Sequence, residues 1–463
     1  MKSKKTDFGP RDIISGLPEA LICHILSFLP IEDAALTSVL SKKWRYLFAY
    51  RPNLIFDGLL HIQHRAVGNT EKELILSRFM AFVDRVLELQ ESCAINKFSL
   101  LCGHGVRPYF VTDSILKVLR RGVTELDLHV SLDEGRLPSE VFESKSLVSL
   151  RIESGNVYGI DVQGVSLPKL KTLFLHRVML GQAEDCFHKL TSGCHVLEEL
   201  FLLRVYSDFW NRSLSSNSLK RLTLYCLDSD QNPDHVSFDT PNLVYFNYSD
   251  NIARKYPKVN FASLVEATIY LAMTRDQYAH ANYGNLVANA TDFFRGICNV
   301  QILYLSASTL EVLTFCCKPV PTFNKLVHLT VETHTVGWES LPTLLNNCPN
   351  LETLVFEGLH HKYTIKCGDV DGCLCKFSGE VPICLSSSPV KFLKVQRFGE
   401  NGIENQIELV KHFLETMPRL EQLTVHYVAS IDDDVNKVSS QLKDFARVAS
   451  PNCEIQVVSD HLN

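Results

Sequence analysis

The stretch HHKYTIKCGDVDGCLC, residues 360–375, gathers two histidines and three cysteines, with Cys384 close behind. Imidazole and thiolate are zinc ligands, and a zinc site needs four that converge tetrahedrally. The spacings here are irregular. Cys373 and Cys375 form Cys-x-Cys instead of a Cys-x-x-Cys knuckle, so the stretch reads as a loop or insertion with reduced cysteines. GHG at 103–105 lacks the strand–loop–helix context and following lysine of a phosphate loop, and reads as a turn. No Gly-x-Ser-x-Gly elbow and no His-Glu-x-x-His helix occurs. Glu198 and Glu199 sit in a strand-like pattern where a solvated charge is the ordinary reading, and Cys316-Cys317 reads as core. No catalytic constellation, metal or cofactor is expected.

Composition narrows the classes further. A 463-residue chain with 46% hydrophobic and 21% charged residues is ordinary globular material. A net charge of −6 gives no electrostatic case for nucleic acid as the main partner. KSKK at 2–5 is a short basic run, read as a solvated terminus. No segment offers the ~18 continuous apolar residues of a membrane span, and no apolar core follows the polar N-terminus as a secretory signal requires. The 15 cysteines therefore read as reduced small hydrophobes. Asn211, Asn247 and Asn289 head glycosylation sequons that matter only in the secretory pathway. The expected location is the nucleus, the cytoplasm or both.

Most of the chain is a repeat, L-x-x-L-x-L with substitutions: LVSLRI (147–152), LKTLFL (170–175), LEELFL (197–202), LKRLTL (219–224), LVYFNY (243–248), VQILYL (300–305), LVHLTV (326–331), LETLVF (351–356) and LEQLTV (420–425). The first five start 22–27 residues apart, a leucine-rich-repeat period. Several copies follow a turn such as LPK, TPN, CPN or MPR, whose proline ends the preceding element. Each Leu-x-Leu is a short strand with one buried face, and such strands bury that face by stacking in parallel. The expected fold is thus α/β, a curved parallel sheet or horseshoe solenoid. After residue 264 two gaps approach ~36–39 residues and read as insertions.

Residues that flank the buried leucines point to the opposite, concave face. They are Thr172, Phe174, His176; Glu199, Phe201, Leu203; Arg221, Thr223, Tyr225; Tyr245, Asn247, Ser249; and His328, Thr330, Glu332. Aromatic side chains exposed there are typical interface anchors. Covering the sheet is an equally good account of any single one.

The N-terminal piece has helical patterning. LPEALICHILSFLP (17–30) is bracketed by Pro18 and Pro30 and is apolar nearly all round, so it must be buried on nearly all sides. IEDAALTSVL (31–40) reads as a second helix and SKKWRYLFAY (41–50) as a third, with Leu40, Trp44, Leu47 and Phe48 in one stripe. A fourth helical pattern, EKELILSRFMAFVDRVLEL, covers 71–89. Three short helices cannot build a self-sufficient core. Patterning alone leaves two readings open, packing onto the repeats or burial in a partner.

Three segments resemble known families. ISGLPEALICHILSFLPIEDAALTSVLSKKWRYLF resembles an F-box of the plant type, carried by Leu17-Pro18, the helix through Ile25 and Leu29, the Pro30 stop, SVLSKKWR and Leu47-Phe48. SGCHVLEELFL (192–202) and NNCPNLETLVFEGL (346–359) are similar to the plant F-box/leucine-rich-repeat set, with His195 in place of proline. VPICLSSSPVKFLKVQRFGENGIENQIELVKHFLETMPRLEQLTV (381–425) resembles the FBD domain, through Val381-Pro382, Cys384-Leu385, a strand at Phe392–Phe398 and a helix at 404–416, without the tryptophan usual in that strand. The resemblance implies an F-box over 9–57, a helical connector and first repeat units over 58–122, repeats with insertions over 123–375 and an FBD-like domain over 376–452. It also implies a non-enzymatic adaptor of an SCF-type ubiquitin ligase. Leu17, Pro18, Ile22, Ile25, Leu29, Val39, Leu40 and Trp44 would contact the Skp-type adaptor, and through it a cullin, or support that contact. Lys42, Lys43 and Arg45 would lie at its solvated rim. An unknown target protein would sit on the repeats, at Phe174, His176, Glu199, Phe201, Arg221, Tyr225, Tyr245, Asn247 and His328. The alternatives are an F-box scaffold outside any ligase and a small-molecule receptor with its pocket on the repeat face.

Overall fold

The computed structural model describes residues 16–58, 69–90, 94–103, 105–131, 137–160, 164–180, 186–205, 212–226, 232–282, 288–333, 340–359, 383–400, 403–428 and 432–459. The chain divides into two compact units, Met1–Leu197 with Val205–Ser207, and Glu198–Arg204 with Asp208–Asn463.

The first unit opens with the helices α1 (Glu19–Leu26) and α2 (Ile31–Leu36). Five parallel strands follow in sequence order: β1 (Asn53–Asp57), β2 (Lys97–Cys102), β3 (Glu125–Val130), β4 (Ser149–Ile160) and β5 (Thr172–Leu180). Helices α3 (Asn69–Leu89), α4 (Pro108–Arg120) and α5 (Cys186–Ser192) lie between or after them. The register stacks Leu126, Leu150 and Leu173 into one rung and Leu128, Ile152 and Leu175 into the next, all buried. The sheet therefore starts before the leucine repeat is recognisable. Strands β1 and β2 bury Leu54, Phe56, Phe98 and Leu100 by the same alternation.

The turn ahead of each repeat strand has a local cause. Leu170 N–H donates to the Leu167 carbonyl at 3.2 Å, with Pro168 between them. Leu243 does the same to Thr240 across Pro241, and Leu351 to Cys348 across Pro349. Proline at the second position of a four-residue turn supplies the required φ in advance. His195 occupies that position before Leu197, and the turn still closes, at 3.1 Å to Cys194. A Cβ on Gly193, one residue earlier, would collide with the backbone carbonyl of Val165. Gly193→Ala is expected to destabilise the first unit by about 1–3 kcal/mol or more, since the obstacle is backbone. A thermal melt showing an unchanged midpoint would contradict this.

The second unit contains β6 (Glu199–Leu203), β7 (Arg212–Ser215), β8 (Arg221–Tyr225), β9 (Val236–Asp239), β10 (Tyr245–Asn251), β11 (Val259–Asn260), β12 (Glu266–Ala272), β13 (Ile302–Leu305), β14 (His328–Glu332), β15 (Thr353–Glu357), β16 (Phe392–Phe398), β17 (Gln422–Tyr427) and β18 (Glu454–Ser459). Its main sheet is a parallel ladder in the order β6-β8-β10-β12 and onward to β18. β7, β9 and β11 form a small separate parallel sheet. Between β12 and β13 lie α6 (Arg275–Asn282) and α7 (Thr291–Gly296). Helices α8 (Ala307–Cys316), α9 (Leu341–Asn346) and α10 (Ile383–Ser386) follow. The C-terminal segment continues the same ladder through β16, β17 and β18, with α11 (Ile403–Thr416) and α12 (Asp432–Ala449) between its strands. Val438, Leu442 and Ala446, at i, i+4 and i+8, form the buried stripe of α12.

An aromatic core of Phe238, Phe246, Tyr248, Phe261 and Phe293 lies between the two sheets of this unit. Beside it is a buried ion pair, Arg212 Nη1 to Asp250 Oδ2 at 3.1 Å. The Tyr248 hydroxyl donates to Asp250 Oδ2 at 3.0 Å, and the Asn251 N–H to Oδ1 at 2.8 Å. Among the described residues no helix is long and apolar enough to cross a membrane.

Candidate functional site

Pro18 and Pro30 sit at the N-caps of α1 and α2, with φ near −50° and extended ψ, so each helix starts where its proline stands. Along α1 and the turn that follows it, the apolar residues separate into two stripes. Ile22 and Leu26 are buried. Leu21, Ile25, Phe28 and Leu29, at i, i+4, i+7 and i+8, are exposed, Phe28 by 75%. In α2, Ile31 and Ala34 face inward while Leu36 is 70% exposed.

The third helix expected over 41–50 is absent. Successive turns run there instead, with Trp44 N–H donating to the Ser41 carbonyl at 3.1 Å and Leu47 N–H to the Trp44 carbonyl at 3.3 Å. A 3₁₀ turn, Leu47–Ala49, ends them. At three residues per turn, Trp44 and Leu47 share a side, but Leu40 does not align with Trp44 as it would in an α-helix. Trp44, Leu47 and Phe48 are accordingly buried, whereas Leu40 is 62% exposed. The second helix also stops short of residue 40. α2 ends at Leu36, and a 3₁₀ turn over Thr37–Val39 leaves Val39 85% exposed.

The eight residues proposed for adaptor contact therefore divide. Pro18, Ile25, Leu29, Val39 and Leu40 are exposed, Leu17 is half-buried, and Ile22 and Trp44 lie in the core. Phe28 and Leu36 join the exposed set, and the i, i+4 phase of Ile22 and Leu26 is the signal that would have found Phe28. Lys43 is not at a solvated rim. It is half-buried, and its ammonium donates to the Leu17 carbonyl at 2.5 Å. Arg51 caps the end of α1 through the carbonyls of Ser27 (2.9 Å) and Leu29 (3.1 Å). The Gln90 side-chain amide, at the end of α3, donates to the carbonyls of Ala49 and Arg51. Phe48 stacks on Phe82 of α3 at 6.3 Å. The helices are thus packed onto the rest of the first unit on one side and bare on another. Among the described residues, nine of the twenty exposed large hydrophobic side chains fall between Leu21 and Tyr50, which makes this the apolar part of the surface.

On the sheet of the first unit, Phe174 and His176 join residues that the repeat pattern had not singled out. The rungs are Asp127–Arg151–Phe174 and His129–Glu153–His176. The Arg151 guanidinium lies 3.7 Å from the Phe174 ring centroid and pairs with Glu153 at 3.1 Å. His176 Nδ1 is 3.1 Å and His129 Nδ1 3.8 Å from Glu153. Burial alone would raise the Glu153 carboxyl, but hydrogen bonds from His176 and Arg151 and the nearby imidazoles hold it below the usual range. A lowered folded-state value means Glu153 contributes stability above its unfolded value near ~4.3, lost as pH falls through the folded value. Carboxyl NMR titration is expected to place Glu153 below exposed glutamates, and Arg151→Ala to move it up. An unmoved midpoint in that variant would reject the assignment.

The other target-face candidates lie in the second unit. Glu199, Arg221 and Tyr245 form one rung and Phe201, Thr223 and Asn247 the next. Arg221 lies over the Tyr245 ring at 4.3 Å, with its Nε 3.9 Å from Glu199. Tyr225 is half-buried opposite Ser249. His328 is on the rung of Tyr245, separated from it by Glu266 and Ile302. Burial first and Lys394 second lower its imidazole pKa, with Glu266 opposing, so His328 is neutral at physiological pH. Residues not anticipated are Tyr270 and Tyr304, whose rings are 5.3 Å apart on β12 and β13. Ala267 replaces the leucine that would have marked β12.

Residues 360–375 and Val381-Pro382 lie outside the described residues. Among the described residues no group of three His, Cys, Asp or Glu side chains is placed to hold a metal. Burial pushes the thiols of Cys102 and Cys348 up to about 12 and that of Cys316 to about 11, so these remain protonated.

Two family models match the chain. An F-box domain covers residues 14–56, and the LRR repeats of the FBD-associated F-box protein At5g56370 cover 113–267. Similar curated proteins come from Arabidopsis thaliana. F-box/LRR-repeat protein At3g59250 is 65% identical over 99% of this chain and 100% of its own length. The putative F-box/FBD/LRR-repeat protein At3g59240 is 54% identical over 98% of this chain and 91% of its own. F-box/LRR-repeat protein At3g59210 is 53% identical over 98% and 96%.

Proposed function

Because the chain belongs to the plant F-box/FBD/LRR-repeat family, we propose that it is the target-recognition subunit of an SCF-type cullin-RING ubiquitin ligase. The observation that carries this reading is the split of the N-terminal apolar residues. Ile22 and Trp44 hold the fold, while Pro18, Ile25, Leu29, Val39 and Leu40 face outward with Phe28 and Leu36. In this reading the outward set is covered by a Skp-type adaptor, which links the chain to a cullin. The segment 9–57 is the docking domain, the repeats over 123–375 hold the target, and the FBD-like segment 376–452 precedes the last strand, β18.

The mechanism is proximity, with no chemical step on this chain. A target held on the sheet face, at residues such as Phe174, His176, Glu199, Phe201, Arg221, Tyr225, Tyr245, Asn247 and His328, meets a charged ubiquitin-conjugating enzyme at raised effective concentration. Such a complex works in the nucleus or the cytoplasm. The test is affinity capture of the full chain from plant cells with proteasome inhibition. Recovery of both a Skp-type adaptor and a cullin supports the proposal. A folded chain that recovers neither defeats it, and adaptor without cullin turns it into a scaffold outside a ligase.

A further inference from the structure

We infer that the outward sheet face across β6 to β13 binds a proline-rich segment of the target protein, laid across the strands in the polyproline II conformation. The inference rests on the proposed role of the repeats in holding a target, and it adds the chemistry of what they hold.

The first observation is a spacing. One rung of this face reads Phe201, Thr223, Asn247, Thr268, Tyr304, so a planar side chain alternates with a threonine. The next rung reads Tyr225, Ser249, Tyr270, two planar rings flanking a serine, and is offset by one strand. In both rungs the planar groups recur every second strand, about 9.6 Å at a strand spacing of about 4.8 Å. All five are half-buried, so each shows part of its face to solvent. A polyproline II helix turns once in three residues of ~3.1 Å each, a pitch of about 9.3 Å. An extended segment returns the same side every ~6.8 Å and an α-helix every ~5.4 Å. Of the three, polyproline II stays in phase with the planar groups, drifting by only about 0.6 Å between Phe201 and Tyr304.

The second observation is charge. Neither rung carries a charged side chain within these limits, whereas Glu199, Arg221 and Glu266 stand in the rung beside them. Arg221 there already lies over the Tyr245 ring, with Glu199 near its Nε. A charged ligand group seated on the two neutral rungs would lose water without gaining a partner, so the strip selects an uncharged segment.

The third is the direction of the hydrogen bonds on offer. The Tyr270 and Tyr304 hydroxyls bond each other, which uses one of their two protons and leaves the other to donate outward. Among the described residues the Asn247 amide and the Tyr225 hydroxyl bond to no protein group, so their donors are also free. Proline has no N–H, and a polyproline II backbone makes no internal hydrogen bonds, so such a segment brings carbonyl acceptors. Its conformation is formed before binding, which keeps the ordering cost low on an aromatic surface.

The test uses the full chain, expressed together with its adaptor, and fluorescein-labelled peptides of about twelve residues, or about four polyproline II turns. One repeats Ala-Pro-Pro and the other Ala-Gly-Ser. Fluorescence anisotropy is expected to show binding of the proline peptide, unchanged as salt rises, and none of the Ala-Gly-Ser peptide. Tyr225→Ala with Tyr270→Ala should weaken binding at least ~10-fold, while Tyr225→Phe, which keeps the ring, should bind nearly as the parent chain does. Tyr109→Ala, at an exposed tyrosine on α4, should change nothing. Circular dichroism checks the fold of each variant. No binding of the proline peptide, equal binding of both peptides, or equal loss in the Tyr109 variant overturns the inference. Binding of cellohexaose with none of the proline peptide would assign the face to a sugar and overturn it as well. Adaptor co-purification is read in the same samples, so its loss counts against the proposed function and not against this site.

Discussion

Replacing Val39 and Leu40 together by aspartate is expected to abolish capture of the Skp-type adaptor and leave the chain folded. Both side chains are largely in solvent, so new carboxylates there cost little stability, within about ±0.5 kcal/mol. In a docked complex the loss is large. Each apolar side chain contributes about 1.5–3 kcal/mol when buried, so two forfeit roughly 3–6 kcal/mol, or about 10²–10⁴ in affinity. Trp44→Ala is the contrasting variant. Trp44 is buried beneath the turns that carry Leu40, and truncation should cost about 3–5 kcal/mol of stability. Calorimetric titration against purified adaptor, with melts of each variant, separates the two. Wild-type affinity in the Val39/Leu40 variant would remove this surface from the interface.

That contrast also shows what sequence can and cannot resolve. The repeat strands were legible because Leu-x-Leu alternation is a direct record of which face is buried, and the register aligns those leucines rung by rung. The proline turns were legible for a local reason as well. Legibility failed where local preference was overridden. SKKWRYLFAY has helical spacing, but i→i+3 turns put Trp44 and Leu47 into the core and left Leu40 outside. It failed again where elements are short, as in β7, β9 and β11, of two to four residues each. On the sheet face, each candidate residue was readable singly, but their partners were not. Glu153 is recognisable only once β3, β4 and β5 place His129 and His176 on either side of it. Burial of a charge leaves even less trace. Nothing near Arg212 or Asp250 in the sequence links two residues that far apart.

Arg212→Met is therefore expected to be among the most damaging single changes in the second unit. Arg212 and Asp250 are 8% and 1% exposed, and removing one member strands the other charge in the core. Breaking a buried pair in this way costs about 3–5 kcal/mol. The pH dependence identifies the cause. Burial pushes the Asp250 carboxyl up to about 6, against the pull of Arg212, the Tyr248 hydroxyl and the Asn251 N–H. A folded value above the unfolded one near ~3.9 means that Asp250's contribution is fully present below ~3.9 and lost as pH rises through about 6. Without Arg212 the carboxyl rises further, so the variant's deficit should be largest near pH 8 and shrink toward pH 6 as Asp250 takes up a proton. Adding Asp250→Asn removes the charge but keeps an acceptor for Tyr248 and Asn251, and should restore up to ~3 kcal/mol of the loss through the coupling of the pair. Urea midpoints for the single and double variants at both pH values measure this directly. A deficit that does not change with pH, or a double variant no better than Arg212→Met alone, would mean that lost packing around the Arg212 side chain, and not the stranded carboxylate, carries the cost.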